Sequence, residues 1–296
     1  MKILCNACPR RCNAERTENT GSGYCGMPLF PVIALADLHF GEEPCISGEK
    51  GSGTVFFSGC SLNCVFCQNE IISHKKQGIM VTPERLAEIF KELEEKGSNN
   101  INLVNPTHFI WAIKEALKIY RPKIPLVYNS GGYDDQNVIK ENVFDVYLMD
   151  LKYVSSEKSL KYSGAADYFE VASKSIKAAL EVAGTPVLNG EGIMQSGVII
   201  RHLVLPLATK EAIKVIDWVK ENAKDAYLSI MSQYVPLARA CEFPEINRRI
   251  TKREYEKVLS YALDSGLENV YVQELISANE TYIPIFDGKG VMSSDE

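Results

Sequence analysis

From residue 54 onward two kinds of apolar pattern alternate along the chain. Short runs rich in β-branched and aromatic residues read as strands at 54–57, 101–104, 126–128, 145–150, 198–204, 226–231 and 270–272. Longer stretches between them carry apolar residues at helical spacing. In the first of these, Leu86, Ile89, Phe90 and Leu93 share a face, Thr82 can cap the start, Pro83 suits the first helical position, and Gly97 stops the run. Further helices are predicted at 109–120, ended before Pro122, and at 168–182, 210–222 and 252–263. Six or seven strand-then-helix units imply a parallel sheet with helices outside it, either an open doubly wound sheet or a full or partial barrel. In both, chemistry is placed beyond the carboxyl ends of the strands.

Residues 1–53 look different. They show little periodicity, hold seven glycines from Gly21 to Gly53, and include Pro9, Pro28 and Pro44. The expected organisation is an irregular cysteine-rich extension at 1–53, an α/β domain at 54–280 and a C-terminal tail at 281–296. The opening, MKILCNACPRRC, has no apolar core of a signal peptide, and no run approaches the length of a membrane span. A cytoplasmic location with no membrane partner is therefore expected. With 46% hydrophobic and 24% charged residues the chain is ordinary for a globular protein, and its net charge of -6 makes nucleic acid a disfavoured partner.

The nine cysteines change the picture. In a reducing compartment, clustered cysteines more often hold metal or do chemistry than form disulfides. Seven fall into two tight groups. The second, Cys60-x3-Cys64-x2-Cys67, directly follows the first strand of the alternating series. Three thiolates within eight residues can wrap one face of an iron–sulfur cube, whose ordinary complement is four cysteines. The missing ligand leaves one iron open, and an open position separates a reactive metal site from a structural one. S-adenosylmethionine (SAM) could chelate that iron through its amino and carboxylate groups. The bland alternative is a zinc knuckle completed by a distant fourth ligand, although zinc sites usually come as paired Cys-x2-Cys arms. The first group, Cys5, Cys8, Cys12 and Cys25, offers four thiols in 21 residues, enough for a structural zinc or a complete iron–sulfur cluster. Either would supply folding energy to a segment with little core. Cys45 and Cys241 stand alone and are expected to be inert.

The spacing of Cys60, Cys64 and Cys67, with the aromatic Phe66 before the third cysteine, resembles the radical SAM superfamily. The segments Gly51-Ser52-Gly53-Thr54-Val55-Phe56-Phe57-Ser58-Gly59, Cys67-Gln68-Asn69, Tyr147-Leu148-Met149-Asp150-Leu151-Lys152 and Ile200-Arg201-His202-Leu203-Val204-Leu205-Pro206 resemble the subfamily related to pyruvate formate-lyase activating enzyme. The likeness covers residues 1–275. It implies a partial (β/α)6 TIM-like barrel with SAM at its open top. It also implies a radical SAM oxidoreductase in which a [4Fe–4S] cluster cleaves SAM to a 5′-deoxyadenosyl radical that takes hydrogen from a substrate. By analogy that substrate is a glycyl residue of a partner enzyme, and the electron comes from a reductant such as flavodoxin or ferredoxin. A competing reading from another class is a non-catalytic iron–sulfur electron carrier or a zinc-stapled interaction protein.

Many members of the superfamily carry Gly-Gly-Glu at the end of the second strand, near the SAM amino group. Here that stretch is Leu103-Val104-Asn105-Pro106-Thr107-His108. Asn105 and Thr107 offer side-chain oxygens there instead. Asn129 and Ser130 close the third strand and Asp150 and Lys152 the fourth, and the resemblance places them, with Phe66, around SAM or substrate. Of Arg201 and His202 in the fifth strand, one should point inward. Each of these polar residues has a structural alternative as a satisfied hydrogen bond or ion pair, and for Lys152, His202 and His108 it is the simpler reading, His108 serving as a helix cap. Gln233, after the sixth strand, is a further candidate for substrate contact, and Arg248-Arg249 reads as a solvated or capping pair.

Overall fold

The computed structural model describes residues 2–275 and 283–293. β1 (Lys2–Leu4) and β2 (Glu15–Thr17) pair antiparallel near the N-terminus. β3 (Val32–His39), α1 (Pro44–Ser47), β4 (Ser52–Phe57), α2 (Glu70–Ser73) and β5 (Ile79–Met80) follow. The alternating series continues with α3 (Pro83–Glu95), β6 (Ile101–Val104), α4 (Ile110–Ile119), β7 (Leu126–Ser130), α5 (Gln136–Lys140) and β8 (Val146–Asp150). It ends with α6 (Ser156–Ser163), α7 (Tyr168–Ala183), β9 (Val187–Leu188), β10 (Met194–Leu203), α8 (Thr209–Asn222), β11 (Tyr227–Met231), α9 (Lys252–Asp264) and β12 (Val270–Val272).

Local chemistry explains several of these boundaries. Thr82 accepts from the Arg85 N–H at the start of α3, with Pro83 behind it as predicted. Thr251 and Glu254 form a reciprocal capping box on α9. Gly164, in the left-handed region, closes α6.

Ten strands form one sheet in the order β12-β11-β10-β8-β7-β6-β4-β3-β5, with β9 paired to β10. From β4 to β12 every neighbouring pair on this path is parallel. That stretch holds seven strands, each joined to the next through at least one helix. β3 and β5 extend the sheet in antiparallel fashion beside β4. The two edge strands do not meet, so the barrel is not closed. Residues from β4 to β12 nevertheless line one cavity, because the sheet curves around a lumen. The fold is the expected α/β partial barrel, with one more parallel strand than a six-fold unit.

Strand alternation sorts the side chains into two layers. Leu126, Tyr128, Tyr147, Met149, Val198 and Ile200 point outward and pack with the helices in the main core. Val127, Val146, Leu148, Met194 and Ile199 point into the lumen, where Cys45 and Ile46 of α1 pack on them and fill its lower part. The same alternation sends Asn102, Asn129, Asp150 and Arg201 inward.

The extension is less irregular than its sequence implies. Val32–His39 is an eight-residue strand zipped to β4. Its run Val-Ile-Ala-Leu-Ala-Asp-Leu-His is poor in strand formers at its centre, so the partner strand rather than local propensity decides its state. Helices α1, α2, α5 and α6 escaped prediction because they have four to eight residues, too few for a helical period to declare itself. The boundary placed at 280/281 lies outside the described residues. Among the described residues no helix is long and apolar enough to cross a membrane.

One glycine in the β7–α5 turn is demanded by geometry. Gly132 has φ +80°, and a Cβ there would stand 2.0 Å from the Asp150 carbonyl oxygen. That oxygen also accepts from Tyr168 at 2.8 Å and is not free to retreat. Gly97, with φ +81°, has nothing near it. In denaturant unfolding, Gly97→Ala should cost about 1 kcal/mol from backbone strain alone. Gly132→Ala should cost at least about 2 kcal/mol more from the added clash. Equal costs would show that the turn relaxes.

Candidate active site

The three cysteines of the second group sit in the loop that leaves the carboxyl end of β4. The loop is tied at both ends and in its middle. Asn105, with φ +62°, donates its amide N–H to the Gly59 carbonyl. The Val65 N–H donates to Tyr162 of α6 at 2.8 Å, and the Cys67 N–H to Cys64 at 3.1 Å. Cys64 is buried, and Cys60 and Cys67 are half-buried. All three line a cavity of about 560 Å³, in the range of small-molecule sites.

Each sulfur has a hydrogen-bond partner. The Leu62 N–H donates to Cys60 Sγ at 3.3 Å, Ser73 Oγ donates to Cys67 Sγ at 3.2 Å, and Ser163 Oγ lies 3.0 Å from Cys64 Sγ. Burial, and then the neighbouring thiols, push Cys64 up to about 12, while Lys152 acts in the opposite direction. Burial also pushes Cys67 up to about 11. These thiols hold their protons at neutral pH unless a positive group displaces them, as a bound metal does. Three buried polar atoms around the loop, Asn63 Oδ1, Asn69 Oδ1 and His74 Nε2, have no partner among the described residues. Soft sulfurs with donors aimed at them, orphaned polar atoms beside them and an open cavity in front fit an iron–sulfur cluster with one exposed face.

Strand ends supply the rest of the wall. Asn105 after β6, Asn129 and Ser130 of β7, Asp150 and Lys152 at the end of β8, and Arg201 of β10 all face the cavity, as do Phe66 and Gln233. Phe66 is held edge-on by Tyr162 and Tyr234, with ring centres 6.4 and 5.8 Å away. Lys152 forms an ion pair with Asp150. Burial lowers its pKa, but Asp150 and Cys64 outweigh that and the net shift is upward. Lys152 therefore remains a cation in the cavity wall.

Thr107 does not reach the cavity. It is buried behind the strand end, where its hydroxyl donates to Asp134 at 2.6 Å. Asp134 also accepts from Tyr128 at 2.8 Å and Ser130 at 2.5 Å. This carboxylate, absent from the sequence-based candidates, cross-ties the ends of β6 and β7. Burial raises its pKa against the pull of those three hydroxyls. His108 does not cap a helix with its side chain. Its Nε2 stands 2.7 Å from the Ser58 carbonyl oxygen, and burial pushes it down to about 3, so the ring is neutral. Of the β10 pair, Arg201 points inward. His202 points outward, with Nδ1 2.8 Å from the Leu151 carbonyl oxygen.

The cavity floor holds a charge cluster that the sequence did not single out. Arg201 Nε donates to Glu43 at 2.8 Å and Nη2 donates to both Glu42 and Glu43. Asn102 and Asn129 donate to Glu42 at 3.0 and 3.2 Å. Two carboxylates thus share one guanidinium. Burial alone would raise Glu43, yet Arg201, and then Ser229, bring it below its ordinary value. In sequence Glu42-Glu43 is only an acidic pair before Pro44, and nothing local ties it to a residue 158 positions away.

The first cysteine group lies in the extension around β1 and β2. Cys5, Cys8 and Cys25 are buried and Cys12 is exposed. Burial, with Cys25, Cys5 and Cys12 adding to it, pushes Cys8 up to about 12. Among the described residues no three Cys, His, Asp or Glu side chains are gathered as ligands of one metal ion. Cys45 is packed in the lumen and pushed up by burial to about 11, as an inert thiol should be. Cys241 is exposed on a short turn. Arg248 pairs with Glu254 at the start of α9.

A trithiol loop at the open end of a partial α/β barrel is the layout of a metal-binding α/β protein. Residues 54–219 match the sequence model of the Radical SAM superfamily, and the chain belongs to that family. The family implies a [4Fe–4S] cluster and SAM. An uncharacterized protein of Methanocaldococcus jannaschii is 32% identical over 283 residues, covering 90% of this chain and 76% of that protein. Streptococcus suis SuiB bound to precursor peptide SuiA superposes with a TM-score of 0.52 at 14% identity, covering 74% of this chain and 48% of that one. SuiB bound to S-adenosylmethionine gives 0.51 at 14% identity, over 77% and 48%. These two likenesses are of fold, and the chain spans about half the length of those structures.

The floor cluster yields a pH-dependent prediction. Glu43 is depressed in the folded state, so its contribution to stability is present above the ordinary glutamate pKa and lost as pH falls through the folded value. Arg201→Met leaves the carboxylates buried without their cation, at a cost of about 3–5 kcal/mol at pH 8. At pH 5.5 the cost should be smaller, because burial unopposed by Arg201 raises Glu43 and allows it to protonate. Thermal unfolding at the two pH values measures both. An identical loss at each would remove the carboxylates from the explanation.

Proposed function

We propose that this chain is a radical SAM enzyme whose [4Fe–4S] cluster is held by Cys60, Cys64 and Cys67 and that SAM occupies the cavity beside it. When bound, the cluster supplies the electron that splits SAM reductively to methionine and a 5′-deoxyadenosyl radical, which takes hydrogen from a substrate carbon. The observation that carries this reading is the shared cavity. Three thiols with sulfur-directed donors open onto the same space as Asn105, Asn129, Ser130, Asp150, Lys152 and Arg201 from successive strand ends. A pure electron carrier has no need of such a space.

The chain's own residues orient and seclude. Asn105 and Ser130 present polar groups where the SAM amino acid end would lie, and Asp134 fixes Ser130. Lys152 keeps a positive charge in the wall, Phe66 offers an apolar face, and the Glu42–Arg201–Glu43 floor closes the lumen. Burial in such a site keeps water from a reactive intermediate.

The finer reading is a glycyl-radical activase-like enzyme served by a flavodoxin- or ferredoxin-type reductant. It is supported by motif likeness and by a fold neighbour, SuiB, solved with a precursor peptide. The four thiols of the extension would hold a second iron–sulfur cluster or, once drawn together around it, a zinc ion.

The test is anaerobic reconstitution with iron and sulfide, reduction, addition of SAM and quantification of 5′-deoxyadenosine. Wild-type protein should form it, and Cys60→Ala should lower formation at least 100-fold. A fully loaded, reducible wild type that forms none would sink the proposal in favour of electron transfer.

A further inference from the structure

Arg10 ties the extension to the second cysteine group, beside a Tyr24 hydroxyl that donates to the Leu62 carbonyl at 3.3 Å. Arg10 lies between Cys8 and Cys12, and its guanidinium grips three carbonyl oxygens in two other segments. Nε donates to Ser61 in the cysteine loop at 2.7 Å, while Nη1 and Nη2 donate to Gly164 and Ser163 at the end of α6 at 2.6 and 3.1 Å. The planar fork is stacked over Tyr24 at 4.1 Å and near Tyr133 at 5.1 Å. A cation at the carbonyl end of a helix is favourable, and this geometry uses several of the five donors that only arginine has.

Ser163 is the residue so held. It is fully buried, and its hydroxyl lies 3.0 Å from Cys64 Sγ and 3.0 Å from the Tyr153 hydroxyl. With Cys64 as a thiolate, the sulfur can only accept, so Ser163 donates to it and Tyr153 donates to Ser163. The donors on Cys60 and Cys67 come from within the loop itself or from α2 next to it. Ser163 comes from 99 residues away, on an element that the extension clamps.

We propose that Ser163 is a positioning residue that tunes the redox potential of the cluster on Cys64, and that Arg10 sets its place. The inference rests on the reading of Cys60, Cys64 and Cys67 as cluster ligands. A hydrogen bond to a ligand sulfur draws charge from it and favours the more negative, reduced cluster, so it raises the potential. The first cysteine group is thereby coupled to the electron-accepting step through Arg10, which does not itself line the cavity. Whatever orders or loosens the first cysteine group, on either side of Arg10, is felt at Cys64.

The experiment is an anaerobic redox titration of loaded protein, followed by electron paramagnetic resonance on the signal that SAM perturbs, with iron and sulfide assayed in each sample. Ser163→Ala should move the midpoint to a more negative potential. Tyr153→Phe should move it the same way by less, and it serves if Ser163→Ala fails to fold or load. Arg10→Ala should also move it negative, and the Arg10→Ala/Ser163→Ala double variant should go no further than Ser163→Ala alone. Loaded variants that titrate with the wild type overturn the role of Ser163. Additive shifts in the double variant overturn the claim that Arg10 acts through it. A wild type that takes up no iron and sulfide on this loop overturns the ligand reading, and this inference with it.

Discussion

Seven parallel strands bent around a lumen must fill one end of it with side chains if the other end is to stay open. The dividing line here is ionic. Arg201 is bound by Glu42 and Glu43 at the floor of the cavity, with Asn102 and Asn129 closing the hydrogen bonds around Glu42. Below it, α1 brings Cys45 and Ile46 onto Val127, Leu148 and Ile199 and leaves a dry apolar plug. Above it the strand ends add Asn105, Asn129, Ser130, Asp150 and Lys152 to a wall that also holds Phe66 and other apolar side chains. A buried charge cluster of this kind is a poor source of net stability, because desolvation consumes much of what the pairing returns. Its effect is to specify where β3 and α1 sit, and so where the cavity begins.

The loop at the top solves the opposite problem. Burial raises Cys64 and Cys67 enough that they keep their protons on their own, yet each of the three sulfurs is met by a partner hydrogen-bond group. Such an arrangement is costly for an empty thiol cluster and natural for thiolates bound to a cation. The partners are uneven in origin. Those of Cys60 and Cys67 are local, whereas that of Cys64 arrives from α6 under the grip of the extension. Arg10 of the extension and Ser163 of α6 are therefore joined beside one sulfur, that of Cys64.

Prediction and structure agree where physics is local. The parallel strands and the long helices fell within a few residues of their expected bounds, since each has enough residues for a period of two or 3.6 to show. Cys60, Cys64 and Cys67 lie in one short loop, and their spacing alone implied their association. Asn105, Asn129, Ser130, Asp150 and Lys152 were placed by a topological rule, that strand carboxyl ends converge, and they do line the cavity.

The departures have a common cause. β3 has a weak strand signal and depends on β4 for its hydrogen bonds. Thr107 stands two residues past Asn105 but turns into the core, because Asp134 offers a buried carboxylate that its hydroxyl can satisfy. Arg201 and His202 were indistinguishable until the register of β10 against β8 and β11 put one on each face. The grouping of the three loop thiols and the βα order of this protein were determined by the sequence itself, through spacing and periodicity. The floor cluster, the Asp134 tie and the Arg10–Ser163–Cys64 chain were decided only by tertiary structure, since each joins residues from separate elements whose partners no local pattern can name.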